Sequence, residues 1–388
     1  TTDEYVLPKV TNVSTSSTSS SITINVSASG GTGSIRKYYY SKDNGSNYVE
    51  STSSSYTFSN LTSDATFYVK VYVKDSNNRD SSVSSTSIKT KSNVKLYNYI
   101  KSKYTSQGSN GLYYHDSSLT NGAGDNSYRY AGANPNNYVC FGSNVTPCPT
   151  DNLYRIIGVF GDNVKLIKYD YANSNLLGTD GDYSTDTFTK SSSSLYKGEL
   201  TTINRYKWNN STQKNTWSES NLNKVNLNTN YLNKIGTIWS NLIEDTTWKV
   251  SGHTNERVTP KEMYTAEITK ATKTYGPENG TSKIGLMYVS DYGFAAAPSA
   301  WAFQLYYYEN SSITPVNWMY MGLSDWTITP YSSNSYDVFN ASGNGNGGLG
   351  TIKAYYGHFV RPVLYLKASV AYAGGSGTKD SPITLVVW

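Results

Sequence analysis

Three histidines are the residues best suited to acid–base or nucleophilic chemistry, and their spacing limits what they could do. His115, His253 and His358 lie far apart in the sequence, and neither H-E-x-x-H nor G-x-S-x-G occurs. A Ser/His/Asp site could still assemble in space, because such triads are defined by geometry rather than by order in the chain. No local pattern supports one, so we expect structural or surface histidines and no catalysis.

Two cysteines, Cys140 and Cys148, are eight positions apart in "CFGSNVTPCPT". This spacing suits a short loop closed by a disulfide, which would stabilise the fold by roughly 2–3 kcal/mol through loop-closure entropy. Reduced, buried thiols are the alternative. A zinc site is not expected, because four soft ligands are not available nearby.

Gly343, Gly345 and Gly348 formally make a G-x-G-x-x-G pattern. A dinucleotide loop needs a following helix whose N-terminus meets the phosphate. Here "TIKAYYGHFVRPVLYL" follows, and its β-branched residues and Pro362 favour a strand. We therefore expect no nucleotide cofactor.

The segment "DGDYSTD" alternates acidic and polar residues as part of a calcium loop does, at Asp180, Asp182, Ser184 and Asp186. Thr185 stands where such a loop needs glycine, and Ser191 stands where it needs a bidentate Glu. A solvated turn without metal is the prediction.

Composition narrows the class of protein. The net charge is +5, no Lys/Arg run exceeds two residues, and no run of 18 apolar residues occurs. Nucleic acid is therefore not an expected partner, and this fragment should contain no membrane span. Charged residues are only 16%, while Tyr occurs 37 times against nine Phe, which is typical of secreted and surface proteins. The start at "TTDEYVLP" reads as a mature or truncated one, with any anchor outside this chain.

The elements that must position these residues fall into two parts. Residues 1–91 show period-two alternation with Ser, Gly and Asn clusters between runs, as in "SITINVSAS" and "TFYVKVYVKD". This pattern predicts a small β-sandwich. Residues 92–112 are predicted to be a helical linker, with Ser92 as a cap and an apolar stripe at Val94, Tyr97, Ile100 and Tyr104.

Residues 113–388 predict a mixed α+β domain without βαβ repetition. A hairpin should turn at Gly161-Asp162-Asn163, one helix should start at Thr229, and another at the capping box of Thr259 and Glu262. The Thr229 helix should place one apolar stripe inward, at Tyr231, Leu232, Ile235, Ile238, Trp239, Leu242 and Ile243. Strands are expected at "KIGLMYVS", "NWMYM", "DWTIT" and "RPVLYL".

Residues 301–361 mix Tyr, Ser, Asn and Gly with a few large hydrophobes. Antibody-like binding surfaces use this residue set, because Tyr supplies contact area at low entropy cost and Ser, Gly and Asn supply adaptable hydrogen bonds. The alternative is a polar loop with its tyrosines packed underneath.

Two resemblances add to this reading. The stretch "LTSDATFYVKVYVKDSNNRDSSVSS" resembles the late strands of a fibronectin type III module, although Phe67 stands where the corner tyrosine usually does. The segments "NLYRIIGVFGDNVKLIKYDYANSNLLG", "KIGLMYVSDYGFAAAPSAW", "NWMYMGLSDWTIT" and "VRPVLYLKASVAYAGGSGTKDSPITL" resemble surface and pilin-associated proteins of gut Firmicutes. Those are similar to the variable proteins of diversity-generating retroelements, which use a C-type-lectin-like fold.

The second resemblance implies a rigid frame, with Trp318, Trp326 and Val363 as core and Arg361-Pro362 closing it. The residues between the frame strands would face a ligand, and they are Ser332, Asn334, Tyr336, Asn340, Asn344, Asn346, Lys353, Tyr355, Tyr356, His358 and Phe359. The short calcium and sugar signatures of C-type lectins are missing, "WNN" at 208–210 being nearest. Calcium-dependent sugar binding is therefore not implied.

The resulting hypothesis is an extracellular, cell-surface, adhesin-like binding protein with a fibronectin-like stalk. Its partner would be a protein or glycan on another cell, host or phage surface. A structural pilus or stalk subunit and a carbohydrate-active enzyme remain as alternatives. The oligomeric state is left open.

Overall fold

The chain divides after Val94 into two units, the second spanning Lys95–Val387. A computed structural model describes residues 5–270, 278–341 and 345–387. The helix that the sequence assigned to a linker spans Leu96–Ser102 and buries Leu96 and Ile100 in the core of the second unit. Its buried stripe differs from the expected one, since Val94 is exposed and no side chain caps the helix. Residues from 95 onward thus belong to the second unit.

The first unit is a sandwich of two antiparallel sheets. Its strands, β1 to β7, are Lys9–Ser17, Ile22–Ser29, Ile35–Ser41, Val49–Ser51, Ser55–Phe58, Thr66–Asp75 and Ser84–Lys89. One sheet has the order β1-β2-β5 and the other β4-β3-β6-β7. The alternating apolar positions of "SITINVSAS" and "TFYVKVYVKD" are buried between the sheets at Ile22, Ile24, Val26, Val69, Val71 and Val73, whereas Phe67, expected on the same face, is half-buried. Full burial of one such side chain contributes about 1.5–3 kcal/mol, so burying these alternating positions stabilises the sandwich.

The second unit mixes many short strands with a few helices. Its strands, β8 to β24, are Leu112–His115, Ser127–Tyr130, Tyr138–Cys140, Leu153–Phe160, Asn163–Lys168, Tyr183–Thr189, Thr202–Lys207, Thr246–Val250, Glu278–Ser282, Ile284–Gly285, Asp325–Pro330, Asp337–Ala341, Gly350–Lys353, Gly357–His358, Val363–Leu366, Tyr372–Gly374 and Thr384–Leu385.

The helices, α1 to α5, are Leu96–Ser102, Ser174–Leu177, Leu232–Ser240, Pro260–Tyr264 and Val289–Ala295. π-helical turns at Leu222–Tyr231 run into α3, and similar turns at Thr265–Thr269 continue α4. Single 3₁₀ turns lie at Ser109–Gly111, Thr150–Asn152, Lys190–Ser192, Trp217–Glu219, Pro298–Ala300, Leu305–Glu309 and Thr314–Val316.

A central antiparallel sheet organises this unit, with the order β17-β22-β12-β11-β9-β8 and β10 paired to β11. The predicted hairpin is confirmed, since β11 and β12 are joined by Gly161-Asp162 and Gly161 has φ of +62°. Smaller sheets have the orders β13-β14-β21, β18-β19-β20, β15-β16 and β23-β24. The unit is therefore rich in β-structure and held by several sheets rather than one.

The helix expected to start at Thr229 begins earlier. Its first turns start at Leu222, and the Thr229 hydroxyl donates to the Lys224 carbonyl from inside the helix. Gly236 (φ +78°) kinks α3, and Ile238, placed on the buried stripe by the sequence, is exposed. The capping box at Thr259 and Glu262 is confirmed.

The run "NWMYM" was expected to be a strand and forms turns instead. Trp318 and Met319 are buried, and the Trp318 indole donates to the Tyr130 carbonyl at 2.8 Å. Asn317 anchors the turn by donating to the Tyr292 carbonyl at 3.1 Å. Long-range side-chain bonds therefore replace strand pairing here.

Buried ion pairs tie the frame together. Arg361 donates through Nε to Asp325 at 2.9 Å and through Nη2 to the Met319 carbonyl at 2.8 Å. Lys165 on β12 pairs at 2.5 Å with Asp291 on α5, and all four charged side chains are almost fully buried. Charges buried this deeply persist only when paired, so these contacts fix how the elements pack.

Candidate ligand-binding surface

Four neighbouring side chains form a partly solvent-exposed cluster near the end of β20. They are Tyr336, Lys353, Tyr355 and Tyr356, and we call them the tyrosine surface. Tyr336 is 44% exposed and Tyr356 is 50% exposed, whereas Tyr355 is half-buried. Single exposed rings are common on protein surfaces, but a cluster of them can mark a binding site, so this cluster is the main candidate.

The charge on Lys353 lies between two rings of this surface. Its Nζ is 5.9 Å from the ring centre of Tyr336 and 5.7 Å from that of Tyr355. The Tyr355 hydroxyl, as the largest influence, raises the pKa of Lys353 above its ordinary value. The rings of Tyr355 and Tyr356 meet edge to face with centres 5.1 Å apart. The surface thus offers aromatic area together with one positive charge.

The backbone beneath the surface is fixed at Ala354, which is fully buried. Its N–H donates to the Tyr336 carbonyl at 2.8 Å, and its carbonyl accepts from the backbone N–H groups of Trp208 and Asn209. The Trp208 indole in turn donates to the Thr327 carbonyl on β18 at 2.9 Å. Lys353 before Ala354 and the two tyrosines after it therefore project from a backbone that is held at Ala354.

The loop that carries Tyr336 is held by side chains from elsewhere. The buried amide nitrogen of Asn215 lies 2.8–3.1 Å from three carbonyl oxygens of this loop, those of Tyr331, Asn334 and Asp337. Asn334 closes the turn by accepting from the N–H groups of Tyr336 and Asp337. This loop is therefore ordered without a ligand, so binding would cost less conformational entropy than it would for a mobile loop.

Several residues expected to face a ligand do not reach it. The Ser332 hydroxyl is buried and donates to the Gly252 carbonyl at 2.7 Å. Asn340 is buried on β19 opposite Trp326, and Phe359 is buried against Tyr171 and Phe188. Strand alternation and core packing turn these three side chains inward, which corrects their assignment to the surface.

The other described residues that the sequence places on the ligand-facing surface lie outside the tyrosine surface. Asn334 is half-buried and holds the loop, as described above. Asn346 is exposed but donates to Glu309 at 2.7 Å, at the edge of a 410 Å³ cleft beside Tyr307. His358 lines a separate cavity. Asn344 lies outside the described residues. The tyrosine surface therefore holds only four of the eleven residues expected to face a ligand.

A second aromatic–cationic group was not anticipated from the sequence. Arg257 donates to the Tyr307 hydroxyl at 2.6 Å, and its guanidinium lies 4.2 Å from the ring centre of Tyr306. The rings of Tyr306 and Tyr307 meet edge to face. The triple tyrosine at 306–308 marks this segment in the sequence. Arg257 lies 50 residues upstream of Tyr307, and only the fold brings the two together.

Burial raises the pKa of three described carboxyl groups, Asp182, Glu267 and Asp325, and the two with the largest shifts, Glu267 and Asp325, are inside the frame. Burial raises the pKa of Glu267 to about 7, and burial raises that of Asp325 to about 6 although Arg361 opposes the shift. Glu267 accepts from the backbone N–H groups of Val289 and Ser290, and Asp325 is held by Arg361. Neither carboxyl is reachable by a substrate.

The cysteines and acidic residues have structural places. Cys140 and Cys148 form a disulfide. Asp182 is buried and accepts from the N–H groups of Asn210 and Leu222, while Asp180 accepts from Asn230.

Within the described ranges, no three His, Cys, Asp or Glu side chains come close enough to hold a metal ion. Among the same residues, no helix has the length and apolar character needed to cross a bilayer.

Solved structures resemble this chain over 22–23% of its length. No protein-family model matches the chain, and no curated protein matches it. Solved structures similar to 22% of this chain include the PKD1 domain of the Vibrio cholerae metalloprotease PrtV, with 21% identity over 98% of that domain and a TM-score of 0.19. A fourth FNIII domain from human matches 23% of this chain with 22% identity over 83% of that chain and a TM-score of 0.19. By its own strand order, the first unit is a fibronectin type III-like β-sandwich.

Proposed function

We propose that this chain is a non-catalytic binding protein of a cell surface, and that its tyrosine surface contacts a protein or glycan ligand. The observation that carries the proposal is the exposure of Tyr336, Lys353 and Tyr356 above a backbone that other residues hold in place. Tyrosine presented in this way gives large contact area at low entropy cost.

The second unit is proposed to be a C-type-lectin-like frame, similar to the variable proteins of diversity-generating retroelements. The alternation from Thr351 on β20 to Ala354 just after it supports this, because Thr351 and Lys353 are exposed whereas Ile352 is half-buried and Ala354 is buried. Outward residues arranged in this way can be exchanged without disturbing the core. We propose that the diversified positions are these outward ones.

The first unit is proposed to act as a stalk. The Cys140–Cys148 disulfide supports an extracellular location, because such bonds persist in oxidising compartments. The ligand would lie on another cell, host or phage surface.

The experiment uses the labelled, purified chain on printed arrays of glycans and of extracellular bacterial and host protein domains. The double variant Tyr355→Ala/Tyr356→Ala should lower the affinity for each bound spot at least about tenfold, as expected when central aromatic contacts are removed. Tyr68→Ala is the matched control, because Tyr68 is 60% exposed but belongs to the first unit.

The Tm of each variant accompanies the binding data. It should stay within about 2 °C of the parent, since the replaced rings are largely at the surface. Equal affinity of the double variant and the parent, or a collapse of its Tm, would refute the proposal.

A further inference from the structure

A cavity of 270 Å³ is built by β13, β14, β21 and the turn before β18. Its walls combine apolar side chains with two nitrogen-bearing ones, and they include Phe188, Leu195, Leu323, Phe359, Arg205 and His358. None of its described lining residues carries a carboxylate. At roughly 30 Å³ for each water of the liquid, the space equals about nine waters, which suits one small chemical group.

Arg205 brings an uncompensated positive charge to this cavity. Among the ion pairs of the described residues, none involves its guanidinium. Its Nε is buried without a hydrogen-bond partner, and the guanidinium lies 5.3 Å from the ring centre of Phe359. Arg205 as a whole is half-buried, whereas the fully buried Arg361 is paired with Asp325 and the Met319 carbonyl. An incoming anion would pair with a guanidinium that has no ion-pair partner among the described residues.

His358 adds a second unsatisfied group on the same wall. Its Nε2 is buried without a partner, and its ring stands edge-on to Trp326 at 4.8 Å. Burial first, and then the charge of Arg205, lower the pKa of His358 to about 4. At neutral pH the imidazole is therefore uncharged and can give or accept one hydrogen bond.

We propose that this cavity binds one carboxylate-bearing group, the size of a single sugar ring or a single amino-acid residue. Arg205 takes the carboxylate, since guanidinium and carboxylate match as a two-bond pair. His358 supplies an additional polar contact, and the apolar walls pack against the rest of the group. The cavity contains none of the tyrosine surface, so this inference does not rest on the proposed function.

The source of the carboxylate can be an acidic sugar or the C-terminus of a peptide. N-acetylneuraminate and N-acetylphenylalanine are the two probes, each compared with its own methyl ester by saturation-transfer NMR and calorimetry. One or both acids should bind in the low-millimolar range, with each ester at least about tenfold weaker because the charge is gone. Binding of only one acid identifies the source.

Arg205→Met should abolish acid binding while keeping the apolar stem of the side chain. Lys207→Met is the matched control, because it removes an equal charge from the same strand and Lys207 does not line the cavity. Tyr355→Ala/Tyr356→Ala should bind the acids as the parent does. Thermal melting checks the fold, and Arg205→Lys should retain part of the affinity if Arg205→Met does not fold.

Three results would overturn the inference. They are no binding of either acid, equal binding of acid and ester, and unchanged acid binding by folded Arg205→Met. Unchanged array binding by Tyr355→Ala/Tyr356→Ala, with acid binding retained, would contradict only the surface proposal, so the two failures are distinguishable.

Discussion

The side-chain nitrogen of Asn215 lies 2.8 Å from the carbonyl oxygen of Asp337, across more than a hundred residues of sequence. The same nitrogen lies near the carbonyls of Tyr331 and Asn334, and the backbone N–H of Asn215 donates to Ser335. One buried amide thus holds both ends of the loop that carries Tyr336. The shape of the candidate surface depends on a residue that no ligand would touch.

Replacing Asn215 with Ala should loosen this loop. Loss of the amide leaves buried carbonyls unpaired, which should cost about 1–3 kcal/mol in the free energy of unfolding. Hydrogen exchange of the peptide covering 331–337, followed by mass spectrometry, should become faster than in the parent. Asn233→Ala is the control, because Asn233 is exposed on α3. Unchanged exchange in 331–337 would show that other contacts hold the loop.

Removing the disulfide should lower stability without changing the surface. Cys140→Ala/Cys148→Ala opens a loop closed across eight positions, and loop-closure entropy predicts a loss of about 2–3 kcal/mol. Urea unfolding with and without a reductant measures it. The reductant should destabilise the parent and leave the double variant unchanged. A parent insensitive to the reductant under unfolding conditions would contradict the bond.

Stability should carry a pH dependence from Glu267. Burial raises its pKa from 4.5 to about 7, so between these values the folded state keeps a proton that the unfolded chain releases. Stability should therefore fall as the pH rises through this window, by at most about 1.4 kcal/mol per pH unit. The difference in unfolding free energy between the parent and Glu267→Gln, measured from pH 4.5 to 8, isolates this contribution. A difference that stays flat, or rises with pH, would show that Glu267 is ionised throughout.

Sequences of this locus from sister isolates should differ mainly within 324–359. Substitutions should concentrate at exposed positions such as Tyr336, Lys353 and Tyr356 and should spare buried neighbours such as Val338 and Ala354. The physical reason is that a buried replacement would cost packing energy, whereas an exposed one would not. Evenly scattered substitutions would remove the case for diversification.

Local patterns predicted the parts of the fold that depend on neighbours in sequence. Period-two alternation predicted the sandwich, the Gly161-Asp162-Asn163 turn signal predicted the β11–β12 hairpin, and the Thr259 box predicted α4. The start at Leu222 was missed because Leu222–Tyr231 is rich in Asn and lacks an apolar stripe. Its turns are held by Asn226, whose amide donates to the Leu177 and Asp180 carbonyls, far away in sequence.

The site was harder to predict than the fold. Composition drew attention to the segment that carries Tyr336, Tyr355 and Tyr356, but it could not separate them from buried neighbours. Ser332 is turned inward by a carbonyl 80 residues away, and a single sequence does not show that contact. No local sequence pattern marks Arg205, because its proposed role in binding a carboxylate depends on the fold leaving it without an ion-pair partner among the described residues.

Tyrosine nitration with tetranitromethane, mapped by peptide mass spectrometry, tests the central claim most directly. Without ligand, Tyr336 and Tyr356 should react as fast as Tyr68, while the buried Tyr231 and Tyr292 should react only after unfolding. After addition of the strongest array ligand, Tyr336 and Tyr356 should be protected and Tyr68 should not. Slow reaction of Tyr336 and Tyr356 in the free protein, or equal protection of all three, would contradict a tyrosine surface built for binding.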